Sequence, residues 1–172
     1  MTSQARETLI YHGDEHFMAS EPLSIYLNSL KEPVKFLPPT SACWRGYYGN
    51  WEIIGDKLHL IGLQAYLDGY VIAGVEYLFP EKSKVFAYWF TGTVRLQVGE
   101  LLHYEHAGYF SVYEKDIFLG FENGRLVDTN ERINEVPTED ISSIMYEVSP
   151  NNKGAWIKER EKLLMNFLRV RK

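Results

Sequence analysis

Residues 43–63, C-W-R-G-Y-Y-G-N-W-E-I-I-G-D-K-L-H-L-I-G-L, constrain the fold more than any other stretch. Two runs of β-type residues flank Gly55-Asp56, and a two-residue glycine loop between such runs matches the twist of paired strands. A second hairpin signal stands at Asn123-Gly124, where both residues tolerate the positive φ of a type I′ turn. Strands are therefore expected on either side of both loops, with further strand added to them and helices covering one face.

Other segments sort by period and by turn chemistry. Residues 1–6 are expected to fray. Residues 7–11 read as a strand, residues 12–15 as a turn and residues 16–18 as its return. Ser20 is placed to cap a helix opened by Pro22, in which Leu23, Tyr26, Leu27 and Leu30 form one apolar stripe. Pro33 ends that helix, and Pro38-Pro39 imposes an extended lead-in to the central hairpin. Residues 64–69 fit a turn of helix or a strand extension. Residues 71–79 are apolar enough for burial, and residues 85–90 (V-F-A-Y-W-F) are dense in rings.

In residues 93–98, Val94, Leu96 and Val98 alternate with Thr93, Arg95 and Gln97, the pattern of a half-buried strand. Gly99-Glu100 reads as a turn into a strand over residues 101–106. Another strand spans residues 110–121, and residues 125–129 return from Asn123-Gly124. Residues 130–137 read as a loop. A short helix is expected over 138–146 and a longer one over 155–170, where Trp156, Arg160, Leu163, Leu164, Phe167 and Leu168 share a face.

The expected fold class is thus α+β: mainly an antiparallel β-sheet or partial barrel built from hairpins, covered by an N-proximal helix and a C-terminal helix. One domain spans residues 1–172: a β-rich body over 7–129, a loop and short helix over 130–152, and a basic helix over 153–172. The length of 172 residues suits one core, and 45% hydrophobic with 15% aromatic residues argues against global disorder. A single cysteine precludes an internal disulfide and fits a reducing compartment. No apolar run is long enough for a membrane span, and the first residues do not read as a signal peptide, so a cytoplasmic protein is expected.

Charge is uneven. The formal net charge is −5, yet residues 153–172 hold seven Lys or Arg against two Glu. The preceding body carries 11 basic and 21 acidic residues. That balance disfavours nucleic acid everywhere except the basic C-terminal helix, and it suits a basic protein partner.

The strings C-W-R-G-Y-Y-G-N-W-E-I, K-L-H-L-I, L-F-P, W-F-T-G, G-E-L-L-H-Y-E-H-A-G-Y, Y-E-K-D and F-E-N-G-R-L together resemble a family of small stand-alone bacterial proteins of uncharacterised function. The resemblance covers about residues 7–129. It implies a bacterial origin and one shared domain, and it carries no activity, cofactor or catalytic residue.

Candidate chemistry is sparse. His103, Glu105 and His106 form a polar cluster; on a strand, His103 and Glu105 share a face and His106 points away, so a metal would need another ligand such as His59. A solvated strand face explains the same residues, and no metal or other cofactor is expected. Cys43, with Arg45 two residues on, has the makings of an activated thiol, but buried structural cysteine is the commoner role. Glu52, Glu105, Glu114 and Asp116 would have to pair closely for glycoside chemistry, which spacing does not establish. Gly46 and Gly49 lack the context of a phosphate loop and fit a bulge or a close backbone approach.

The aromatic excess is the most distinctive feature. Trp44, Tyr47, Tyr48, Trp51, Trp89, Tyr104 and Tyr109, with Arg45 stacked among them, are the candidate ligand or partner surface, set against core packing as the ordinary role of such rings. No catalytic residue is assigned. The leading expectation is a non-enzymatic protein-binding module, of the kind an immunity protein presents to a basic toxin. The alternatives are a small-ligand-binding β-barrel and a hydrolase using His103, Glu105 or His106.

Overall fold

A computed structural model describes residues 3–106 and 109–135. Nine strands follow in chain order: β1 (Glu7–Tyr11), β2 (Asp14–Met18), β3 (Tyr47–Ile54), β4 (Lys57–Tyr66), β5 (Ile72–Ala73), β6 (Val85–Phe86), β7 (Gly92–His103), β8 (Val112–Glu122) and β9 (Arg125–Ile133). Helix α1 (Pro22–Ser29) lies between β2 and β3, and α2 (Val75–Leu78) between β5 and β6.

Turn chemistry sets the hairpins. Gly55 alone carries positive φ in the β3–β4 turn, whereas His12 and Gly13, and Asn123 and Gly124, carry it at both central positions. The strands join in the order β3-β1-β2-β7-β8-β9-β4-β5, and β3 also pairs with β4. The path therefore returns on itself as a ring-like sheet. The sheet is mainly antiparallel; β1 and β3 form its parallel pair, with Leu9 opposite Trp51. At the seam between β4 and β9 the ladder narrows to Lys57 opposite Arg125, so the ring falls short of a true barrel.

The inward face follows the period of two. Leu9, Met18, Trp51, Leu58, Leu60, Val94, Leu96, Ile117, Leu119 and Phe121 form the core. Leu23 of α1 enters it, and Tyr26 packs on Phe79 and Trp89, whose rings stack at 5.6 Å.

Several sequence expectations need correction. Ser20 does not cap α1. Its hydroxyl accepts from Arg95 N–H at 3.1 Å, tying the chain to β7. Gly99-Glu100 is a bulge rather than a turn, and β7 runs through it to His103. Strand β9 continues past residue 129 to Ile133, because an edge strand tolerates polar side chains on both faces. The apolar run 71–79 is only partly buried: Ala73 and Val75 enter the core while Val71 and Ile72 face outward. Among residues expected to fray, Ala5 is held instead, its N–H donating to Ala42 O at 2.7 Å. The helices expected over 138–146 and 155–170 lie outside the described residues. Among those described, no helix is long and apolar enough to cross a membrane.

Candidate functional site

Among the described residues, the densest concentration of interacting ionisable groups gathers around Arg45. Gly46 follows it with φ 78°, pressed against the Phe36 backbone, and this bend launches β3 with the guanidinium directed inward. Arg45 Nη1 donates to Ala5 O at 2.8 Å and to the Tyr109 hydroxyl at 3.0 Å. Its Nε stands 3.2 Å from Glu7 Oε1, outside hydrogen-bonding geometry, and Nη1 stands 3.6 Å from Glu21 Oε1. The rings of Tyr47 and Tyr48 flank the guanidinium at 5.4 and 5.6 Å.

Glu7 reaches this point because it shares the inward face of β1 with Leu9, and it is almost fully buried. Trp51 Nε1 donates to Glu7 Oε2 at 2.6 Å. The two side chains occupy the space above Gly49, where an added Cβ would come within 2.8 Å of Trp51 Nε1. Tyr109 completes the cluster by donating to Glu21 Oε1 at 2.8 Å.

Burial dominates the electrostatics. It pushes the Glu7 carboxyl up to about 8, with the Arg45 guanidinium and the Trp51 N–H pulling the other way. Burial likewise raises the phenols of Tyr47 and Tyr109 well above their ordinary value. A carboxyl poised near neutrality is what general acid–base catalysis uses, but geometry comes first. Glu7 is walled by Trp51, Arg45 and the sheet, so this arrangement ties β1, α1, the lead-in to β3 and the lead-in to β8 together.

A second buried carboxylate lies on the outer face of β8. Asp116 receives Arg95 through two bonds at 2.9 and 3.1 Å, Arg132 Nη2 at 2.8 Å and Asn134 Nδ2 at 3.0 Å. Like Glu7, it spends arginine charge inside the molecule.

The candidate residues named from sequence fall in four places. Arg45, Tyr47, Trp51 and Tyr109 meet in the Glu7 cluster. Tyr48 lies between the Arg45 guanidinium and Tyr66, whose hydroxyl takes a bond from Gln64. Trp89 packs with Tyr26, Phe79 and Tyr88, its Nε1 donating to Pro22 O at 3.1 Å. Trp44 and Tyr104 are exposed.

The polar cluster does not assemble as expected. Strand β7 stops at His103, so His103 and Glu105 do not share a strand face. Glu105 N–H donates to Ser111 Oγ at 3.1 Å, and Tyr104 OH lies 2.9 Å from His106 Nδ1. His59 sits on β4 against Lys57 O and Phe86. Among the described residues, no three His, Cys, Asp or Glu are placed to hold a metal. Cys43 is buried, its thiol donating to Tyr47 O at 3.3 Å.

Sequence reasoning named Asp116 only as a possible partner in a carboxylate pair, and it missed Glu7, Glu21, Arg95, Arg132 and Asn134. For Glu7 a signal existed: in E-T-L-I-Y the acid shares the alternation of Leu9 and Tyr11, which puts it on the buried face. No protein-family model, no curated protein and no solved structure matches this chain.

Proposed function

We propose that this chain is a non-enzymatic binding module whose acidic surface engages a basic protein. One observation carries the reading: the body is acidic, and several of its few cations are already taken up by carboxylates of the same chain. Residues 3–135 hold 18 Asp or Glu against 11 Lys or Arg. Of those eleven, Arg45, Arg95 and Arg132 are committed to the buried carboxylates Glu7 and Asp116. Setting those three cations and two acids aside leaves eight cations against sixteen acids over the rest of the body. Asp14, Glu15, Glu32, Glu76, Glu81, Glu100 and Glu122 are all exposed. Such a field accelerates encounter with a cationic partner and repels nucleic acid.

The rings of Trp51 and Tyr47 fill the interior, which supports a packed core in preference to a ligand-lined barrel. The exposed Trp44, Tyr88 and Tyr104 are the side chains best suited to anchor a partner. Co-purification from the source cells at low salt is expected to return one strongly basic protein. Reconstituted from pure components, that complex should weaken steeply as ionic strength rises. A partner bound equally well at high salt, or none at low salt, contradicts the reading.

A further inference from the structure

Among the described residues, strand β9 is paired along most of its length on one side only. It meets β8 from Lys115 opposite Ile133 to Glu122 opposite Arg125, but it meets β4 only at Lys57 opposite Arg125. The direction of its backbone groups follows from one bond: Asn134 N–H donates to Glu114 O at 2.8 Å. Arg132 stands opposite Asp116 and Asn130 opposite Phe118, so by alternation the even-numbered residues bond toward β8. The N–H and C=O groups of Thr129, Glu131 and Ile133 therefore project from the other side. Among the described residues no strand pairs with them there. Such an edge is a template for another strand.

We propose that this edge pairs with β9 of a second copy of the chain, antiparallel about a two-fold axis at Asn130. The side chains select both the occupant and the register. About that axis Asp128 stands opposite Arg132 of the second copy, and Thr129 stands opposite its Glu131. Asn130 meets its own counterpart, and exposed Val127 approaches exposed Ile133 of the other chain. A shift of the axis to Glu131 would set two Glu131 carboxylates against each other. A shift to Thr129 would leave Arg132 facing Leu126 and lose the charge pair. The axis at Asn130 alone joins opposite charges and apolar neighbours together.

It also satisfies the backbone, since the outward-facing odd residues Thr129 and Glu131 then exchange hydrogen bonds. Asn130 and Asp128 fall at non-bonded pairs, where opposite Cα atoms approach to about 4.5 Å and side chains meet most closely. Arg132 holds Asp116 through Nη2 and Asn134 through Nε, and its Nη1 can serve Asp128 of the second copy. The pairing is isologous and closes at two chains, so it buries the edge without propagating.

Sedimentation of the full chain from about 5 to about 200 μM tests this, a range suited to a one-strand interface. A concentration-dependent rise to the mass of two chains is expected. Asp128→Lys faces Arg132 of the second copy at both symmetry-related positions and should weaken association about tenfold. Thr129→Lys faces Glu131 and should tighten it. Asn130→Cys should form a disulfide-linked dimer on oxidation, because the Cα spacing of a non-bonded pair falls within disulfide range. Glu122→Cys, away from the axis, should not. A chain that stays monomeric at every concentration, with no crosslink in the Asn130→Cys variant, overturns the proposal. Dimers indifferent to both lysine variants overturn it equally.

Discussion

Two carboxylates, Glu7 and Asp116, set the interior polarity of this protein, and they are held differently. Asp116 accepts four bonds from two arginines and an asparagine, which compensates its burial. Glu7 has one short bond from Trp51 and a 3.2 Å contact with Arg45 that lacks bonding geometry, so its burial is poorly compensated. Its carboxyl is therefore displaced up to about 8, from an ordinary 4.5. Between those values the folded chain keeps a proton that the unfolded chain has released. The Glu7 contribution to stability then falls as pH rises from about 4.5 to about 8 and levels off above, with a limiting slope near 1.4 kcal/mol per pH unit. Glu7→Gln removes that titration and keeps an acceptor for Trp51. Urea midpoints measured between about pH 5 and about pH 8 should decline less steeply for Glu7→Gln than for the parent chain. Parallel profiles would show that Glu7 does not hold the proton.

At the scale of elements, the hairpins were the most legible part of the fold because their signals are local. Gly55-Asp56 and Asn123-Gly124 name their turns without reference to the rest of the chain. The same signal misleads at Gly99-Glu100. There the positive φ of 86° at Gly99 serves a bulge, and Glu114 of the neighbouring strand accepts from Glu100 N–H; no local pattern separates that from a turn. Glycines that look alike in sequence also differ in what surrounds them. Gly13 has φ 88° and open space, whereas Gly124 has φ 77° and lies against Ala87 and Phe86 of the β6 region. Gly13→Ala should therefore cost only the left-handed backbone penalty, about 1 kcal/mol. Gly124→Ala adds a steric clash at the seam and should cost about 3 kcal/mol or more in chemical denaturation. Equal losses would mean that contact with Ala87 and Phe86 is not what requires glycine at 124.

Over the whole molecule, the ring is closed by contacts that sequence cannot foresee, because they join residues far apart along the chain. The Trp51–Glu7 bond spans 44 residues, and the bond from Arg95 N–H to Ser20 spans 75. This explains why Arg45, Tyr47, Trp51 and Tyr109 were recognisable as a notable set while Glu7, the group they surround, was not: ring-rich composition is visible locally, and convergence is not. The same separation governs folding. The β3–β4 and β8–β9 hairpins can form early, but the parallel β1–β3 pair and the β2–β7 pair must close long loops before their contacts repay the lost chain entropy. Refolding followed by tryptophan fluorescence should accordingly take milliseconds to seconds, as for other sheets rich in non-local pairing. Trp51 is the sensitive reporter because it is buried only once β1 has docked beside β3. Full recovery of its buried signal within microseconds would mean that local structure, rather than ring closure, limits the rate.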